Sequence, residues 1–455
     1  MSLSRVVFVG NIKIGGCHPI ALQSMTSTQT RNISDSVNQV IRLINSGAQM
    51  VRITTPAMKD VEALQSIITE LRAQNYTTPI IADVHYLPEV AMAVAPFVDK
   101  VRINPGNFTD NKSVHNNDFS EEEYARSLQA MGEKAAPLIA LCKKHNTAIR
   151  VGVNHGSLCD RIISKYGNTA LGMVHSALEW IDICEENQFY DVIFSLKSSN
   201  VNTMVEATTL LYQIMAERGT IFPLHLGVTE AANGMEGRVK SAIGIGSLLL
   251  KGIGDTIRVS LTEEPENEIL FAKKMMSVVD RIDPLQYQVE NQILTLESKA
   301  TDPEEWWIET ALIAGYYHFS ETPFKNVIIH NPHFSSSERT QLEDTILQSC
   351  RIKLTKTEII ACPSCGRTQY NIQEVLQIVK ERFSGYPNLK IGVMGCVVNG
   401  PGEMADADIG VIGSGKNKIA VYRDGVPVST FLPIEEALKV MKTQIIQILN
   451  EKNKV

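Results

Sequence analysis

The sequence predicts an α/β protein in which a closed barrel of eight strand–helix units is followed by a compact α+β domain. Three observations predict it. Residues 20–260 alternate short strand-like runs with longer helical patterns at even spacing. The strand-like runs are almost continuously apolar, as strands buried on both faces of a parallel sheet are. The rhythm breaks near 265 and a different pattern begins near 351. Alternation alone leaves a doubly wound open sheet as the other arrangement.

Taken in order, strands are expected at 21–26, 50–54, 79–83, 99–104, 147–153, 190–196, 221–227 and 256–261. Helices are expected between them, at 35–46, 60–74, 121–145, 169–187, 202–218 and 238–250. The polar, turn-rich stretch PGNFTDNKSVHNNDFS from 105 reads as a loop. Residues 265–350, with Trp306 and Trp307 and the loop at 331–340, read as a small helical insertion or a linker subdomain. The α+β domain is then expected to open with strand-like RIKL and TEIIACP. A helix at 372–383, a strand at 389–393 and a last helix at 433–451, with Pro433 in its first turn, complete it. The expected domains are therefore 1–264, 265–350 and 351–455.

Composition narrows the function classes. With 455 residues, 20% of them charged, and a net charge of -7, the chain lacks the overall basic balance of a nucleic-acid binder. The start MSLSRVVFVG has no basic region followed by a sustained apolar run, and runs such as IGIGSLLL at 243–250 are too short to cross a bilayer. Neither a secretory signal nor a membrane span is expected. Eight cysteines in so long a chain form no disulfide framework, so a reducing, cytoplasmic setting is expected. The glycines of GIGSLLLKGIG at 244–254 satisfy neither a P-loop nor a dinucleotide fingerprint, which leaves NAD and ATP without support.

Polar residues collect at the carboxyl ends of the expected strands: Asp83 and His85, Arg102, Asn104 and Asn107, Arg150 and Asn154, Lys197, Thr229 and Glu230, Arg258 and Ser260. Barrel enzymes place their chemistry on that rim. Loop starts are polar in any protein, but here Arg and Lys recur inside apolar strand ends, where an unpaired charge is costly.

The strongest chemical signal is CPSCG at 362–366 with GCVVNGPGE at 395–403. A C-x-x-C pair brings two thiolates to one metal centre, and the glycine-rich turn after Cys396 can aim the Glu403 carboxylate into a remaining position. No histidine occurs in 351–455, which excludes a Cys₃His zinc knuckle within the tail. Three readings remain open at this point. They are a [4Fe-4S] cluster with a replaceable non-cysteine ligand, structural zinc completed by Cys350, and a thiol redox pair that would not need Cys396.

These motifs, with IGGCHPIALQSMT at 14–26, MVRIT at 50–54, IIADVHY at 80–86, VRINPGN at 101–107, IRVGVNHGSL at 149–158, SLKSS at 195–199, LHLGVTEA at 224–231 and DTIRVSL at 255–261, appear in one linear order. In that order the chain closely resembles the 4-hydroxy-3-methylbut-2-enyl diphosphate synthases of the methylerythritol phosphate isoprenoid pathway. The resemblance implies a TIM-type (β/α)8 barrel joined to a C-terminal α+β domain that holds a [4Fe-4S] cluster on Cys362, Cys365, Cys396 and Glu403. It also implies a homodimer in which the barrel of one subunit faces the cluster domain of its partner. The implied reaction is the two-electron reductive opening of 2-C-methyl-D-erythritol 2,4-cyclodiphosphate to 4-hydroxy-3-methylbut-2-enyl diphosphate, with release of water. The implied electron donor is a flavodoxin or a ferredoxin, and nothing in the sequence says which. Between the last barrel motif and the cysteines, 265–350 is longer than in compact bacterial members and shorter than the extra domain of plant-type members.

Under that resemblance Arg52, Arg102, Arg150, Lys197 and Arg258 are the expected diphosphate clamp, since guanidinium forks match paired phosphate oxygens and lysine adds a compact charge. Their alternative is pairing with rim carboxylates. Asn154, Ser260 and Asn399 are expected substrate-binding groups, or else turn and helix caps. Glu230 is the expected proton donor and Asp83 an orienting carboxylate, with His85, His155 and His225 as competing bases. Cys17, Cys142, Cys159 and Cys184 are expected to pack or stand incidentally. The competing functional classes are a zinc-dependent barrel hydrolase and a zinc-stabilised nonenzymatic scaffold.

Overall fold

The structure, a computed structural model, describes residues 3–108, 119–398, 400–404 and 407–452. It divides into two compact units. The first comprises residues up to Gly227 with Lys251–Val259 and Pro265–Lys273; the second comprises Val228–Leu250, Ser260–Glu264 and the chain from Lys274 onward.

The first unit is built on eight parallel strands: β1 (Ala21–Met25), β2 (Met50–Thr54), β3 (Ile80–His85), β4 (Lys100–Ile103), β5 (Ala148–Asn154), β6 (Val192–Lys197), β7 (His225–Leu226) and β8 (Thr256–Ile257). They pair in the order β6-β5-β4-β3-β2-β1-β8-β7. A parallel bridge from Phe194 to Leu224 joins the two ends, with the Phe194 N–H donating to Pro223 O at 3.0 Å. The ring is closed, and the doubly wound alternative falls. All eight expected strands are present, but β7 and β8 shrink to two residues each. Pro223 has no N–H to give the ladder, which delays β7 to His225.

Local chemistry explains the flanking helices. Glu121–His145 starts at a capping box in which Ser120 and Glu123 satisfy each other's backbone N–H groups, and it carries Glu121, Glu122 and Glu123 in its first turn against Lys143, Lys144 and His145 in its last. Both ends therefore complement the helix dipole. An antiparallel hairpin beyond the expected elements, Val7–Val9 with Ile12–Ile14, packs Val7, Val9 and Ile14 against Ala21, Met50, Ile81, Ala148 and Ile193. These are early residues of the strands, so the hairpin plugs the amino end of the barrel with an apolar layer.

The second unit contains two further sheets. Three strands, β9 (Val289–Glu290), β10 (Ile293–Glu297) and β11 (Asn326–His330), are accompanied by the helices Pro303–His318 and Ser336–Ser349. Five strands follow: β12 (Glu358–Ala361), β13 (Lys390–Met394), β14 (Ile409–Gly415), β15 (Lys418–Arg423) and β16 (Val426–Pro433), the first three parallel and the last two antiparallel. Val375, Leu376 and Val379 of Ile372–Phe383 and Leu438, Met441 and Ile445 of Ile434–Lys452 cover that sheet.

Three local expectations are corrected. Residues 351–354 form no strand, because Arg351 turns left-handed after the preceding helix and its N–H bonds Gln348 O. Pro433 closes β16, and the last helix starts at Ile434. The expected loop from 105 begins as a helical turn, Pro105–Phe108, and 109–118 lie outside the described residues.

Candidate functional site

Successive side chains of a strand point to opposite faces, so register neighbours in a barrel share a face. One register row runs Thr54, Asp83, Arg102, Arg150 and Ile193 across β2 to β6. Barrels usually fill this interior with branched apolar side chains. Here, beyond the apolar plug, the buried residues include Arg52, Lys100, Arg102, Arg150, Lys197 and Arg258. Burial, and then Arg150, Arg52, Arg258 and Arg102, hold the Lys197 ammonium well below its usual range. Burial followed by Arg150 and Arg52 does the same to Lys100. Arg150 is pushed down by burial and by Arg52 and Arg102, with Asp83 opposing. A guanidinium keeps its proton, so the repulsion stays stored until an anion relieves it. His225 is pushed well down by burial and by Lys197, Arg150, Lys100 and Arg52, which keeps its ring neutral.

These cations are not equally engaged. Arg102 donates to Asp83 at 3.1 Å, to Gly152 O at 3.2 Å and to Asn154 at 3.4 Å, and its Nη1 also contacts His85 Nδ1. Arg258 places its fork on Glu268 at 3.1 and 3.0 Å, and Ser24 donates to the same carboxylate at 3.1 Å. Arg52 meets Met25 Sδ. Arg150 reaches Ser195 Oγ at 2.8 Å through one nitrogen, while its Nε and Nη2 are buried without a partner. Both amide atoms of Gln23 are buried without a partner as well. Two glycines make room. A Cβ on Gly152 would stand 2.7 Å from Arg102 Nε, and one on Gly227 would stand 2.6 Å from Lys197 Nζ. His85 holds a positive φ of 74°, backbone strain of the kind that persists at binding sites. Buried, unpartnered donors among like charges suit an anion rich in oxygen.

The second unit gathers the thiols. β12 and β13 are parallel and deliver Cys362 and Cys396 from their carboxyl ends. All three of Cys362, Cys365 and Cys396 are half-buried. The Gly395 N–H donates to Cys362 Sγ at 3.1 Å, and the Cys365 N–H donates to Thr368 Oγ1 at 3.1 Å. Burial, then the negative charge of Cys365 and Cys396, pushes the Cys362 thiol well up, while the Gly395 N–H opposes the shift. Tyr370, which donates to Met394 O at 3.1 Å, is raised by burial and by Cys362 and Cys396. Among the described residues no three His, Cys, Asp or Glu side chains converge on a single-ion position.

Glu230 stands in a strained left-handed backbone, φ 51°. Its carbonyl accepts the Ala361 N–H at 3.3 Å, and Thr262 Oγ1 donates to Ala361 O at 3.2 Å, which ties this loop to the strand leading into Cys362. Burial, and then the charge and hydrogen-bonding reach of Glu403, raise the Glu230 carboxyl well above its usual range. This carboxyl pair forms within one chain.

Residues 4–273 match the GcpE TIM-barrel domain and residues 358–447 match the GcpE protein C-terminal domain. The chain belongs to the GcpE family. It is 34% identical to the 4-hydroxy-3-methylbut-2-en-1-yl diphosphate synthase (flavodoxin) of Bacteroides fragilis strain YCH46 over 585 aligned positions, covering 95% of this chain and 94% of that one. It is 40% identical to the corresponding ferredoxin enzyme of Synechococcus sp. strain CC9902 over 423 positions, covering 92% and 88%. The first alignment is longer than the 455-residue chain, so that relative carries segments this GcpE chain lacks. The family is enzymatic, and this member is an oxidoreductase. No described helix is long and apolar enough to cross a membrane.

Within this GcpE chain the first unit brings together Arg52, Asp83, Arg102, Arg150, Asn154, Lys197 and Arg258. The second holds Glu230, Ser260, Cys362, Cys365, Cys396 and Glu403. Asn399 lies outside the described residues. Of the competing histidines, His155 bonds Asn168 O at 2.9 Å, His85 contacts Arg102, and burial with the surrounding cations pushes His225 toward its neutral form. Cys142 and Cys184 are packing residues whose thiols burial pushes up to about 12, and Cys350 is buried at the end of its helix. Lys100, Gln23, Ser195 and Glu268 were not foreseen. Lys100 had a signal, two residues before Arg102 on one strand face, whereas Glu268 sits on a helix with none.

Proposed function

We propose that this chain reductively opens 2-C-methyl-D-erythritol 2,4-cyclodiphosphate to 4-hydroxy-3-methylbut-2-enyl diphosphate. A flavodoxin- or ferredoxin-type protein supplies the electrons through a [4Fe-4S] cluster. The buried barrel cations carry the reading, above all Arg150 with two unpartnered nitrogens and Lys197 held among arginines. A cyclic diphosphate supplies the anion these groups lack. The conversion takes up two electrons and one proton, breaks a ring carbon–oxygen bond to phosphate, and expels a hydroxyl as water. The freed diphosphate gains one negative charge, which the cation cluster stabilises.

The donor set fits the cluster. Cys362, Cys365 and Cys396 would hold it, with Glu403 as the fourth ligand. The Gly395 N–H aimed at Cys362 Sγ favours a thiolate there. Three thiolates with one carboxylate are a donor set suited to a cubane with one exchangeable position. When bound, the cluster delivers electrons singly. The chain's own residues do the rest. Arg150 and Lys197 anchor the diphosphate. Asp83 aims Arg102, and Asn154 braces it. Glu230, kept protonated by its burial, donates the proton that the departing hydroxyl needs. A homodimer in the cytoplasm belongs to the same reading.

The test is anaerobic reconstitution followed by iron and acid-labile sulfide analysis and spectroscopy with and without the cyclic diphosphate. Iron and sulfide together with a substrate-induced spectral change are expected. Stoichiometric zinc in an active, iron-free sample would refute the proposal.

A further inference from the structure

We propose that the sheet edge carrying the cysteines is also the docking surface for an acidic electron-carrier protein, with Lys416 and Lys418 as its charged rim and Val397 and Phe431 as its apolar centre. The inference rests on the cluster reading of the same cysteines and names the surface through which electrons reach them.

Topology places these residues together. β12, β13 and β14 are parallel, so the turn from β14 into β15 lies at the edge where β12 and β13 deliver Cys362 and Cys396. Hydrogen bonds tie that turn to the cysteine loops. The Asn417 N–H donates to Gln369 O at 3.0 Å, and the Gln369 N–H donates to Gly395 O at 3.0 Å. Gly395 in turn donates to Cys362 Sγ. A carrier seated on the turn therefore stands one loop away from the thiols.

The surface has the composition of a small transient interface. Lys416 and Lys418 are exposed, and among the described residues neither enters an ion pair. Val397, next to Cys396, is 55% exposed and Phe431 is 61% exposed. The Phe431 ring lies beside Gly415, 3.9 Å from where a Cβ would stand. Its backbone is left-handed at φ 55°, an uncommon conformation for a phenylalanine, yet the fold leaves this ring in solvent. Single exposed apolar residues are ordinary, but here two of them lie with a lysine pair at one edge, beside a candidate redox site. Electron-transfer encounters bury little area and depend on complementary charge for their rate, so an acidic carrier is the partner that unpaired lysines select.

The experiment compares the cluster-loaded full chain with Lys416→Glu/Lys418→Glu and Lys416→Gln/Lys418→Gln variants. Purified ferredoxin and flavodoxin are titrated by calorimetry at low and physiological salt. Turnover is measured with each protein donor and with a reduced viologen. We expect charge reversal to weaken donor binding roughly tenfold or more and to flatten its salt dependence, with a smaller loss for the glutamine variant. Turnover with viologen stays at the unsubstituted level. Unchanged donor binding would overturn the proposal. So would an equal loss with viologen, which would place the lysines at the cluster, or a shift in oligomeric state with donor binding intact, which would make the edge a self-interface. If the unsubstituted enzyme turns over with neither donor, the cluster reading falls, while the titration still decides the docking surface.

Discussion

Adding one methyl group at Gly152 should loosen the anion clamp without replacing a charged residue. A Cβ there would stand 2.7 Å from Arg102 Nε, 3.2 Å from its Nη2 and 3.3 Å from Ile103 O. Ordinary contact begins near 3.4 Å, so the backbone oxygen needs only a small adjustment but the guanidinium must retreat by about 0.7 Å. Arg102 is held by Asp83, Gly152 O and Asn154 at 3.1 to 3.4 Å, and a retreat of that size breaks its longer bonds and misaims the fork. A charge-assisted hydrogen bond contributes about 1.5–3 kcal/mol, so losing one to the diphosphate weakens binding roughly 10- to 150-fold. Overpacking costs about 1–3 kcal/mol of stability, and because an arginine can swing aside, the lower half of both ranges is expected. Calorimetric titration of Gly152→Ala with the cyclic diphosphate reads the affinity, and a thermal melt reads the fold. Gly219→Ala is the control, since Gly219 has nothing within 4 Å but, unlike Gly152, a positive φ of 79°, and should lose stability without losing affinity. Substrate affinity equal to that of the unsubstituted protein in a folded Gly152→Ala variant would refute the argument.

Other outcomes follow from the same geometry. Lys197 is held below its usual range when the barrel is empty, so diphosphate binding should take up protons, read as a dependence of the binding enthalpy on buffer ionisation heat. In the unliganded protein the unfolded chain binds that proton more readily, so this group makes the fold more stable as pH rises toward the ordinary lysine range and less stable as pH falls, measured as melting temperature against pH. Glu230 must be protonated to act as an acid, so turnover should fall as pH rises through its raised value; Glu230→Gln should remove that alkaline limb and lower kcat about 10²- to 10⁴-fold. Glu268→Ala leaves the Arg258 guanidinium buried without its bidentate partner and should destabilise the first unit by about 3–5 kcal/mol, read by denaturant unfolding.

Much of the fold was legible because its signals are local. The helices Glu121–His145 and Ile372–Phe383 were read to the residue, since Ser120 with Glu123 and Asn371 mark their starts. The barrel strands were legible from apolar runs, and the cysteine site from spacing. The amino-terminal plug was not, because strands of three residues carry too little pattern to separate from a loop.

By itself, the sequence determined the element order, the family, the three thiols and most of the cationic residues, because each depends on neighbours within a few positions or on motifs in linear order. Only the tertiary structure decided that the barrel closes through Phe194 and Leu224, and that Glu268 already occupies Arg258 while Arg150 keeps unpartnered donors. It also decided that Glu230 shares its environment with Glu403, 173 positions away in the chain. A charge's role depends on what faces it, and facing partners are set by topology and register, which bring together residues that no local period connects.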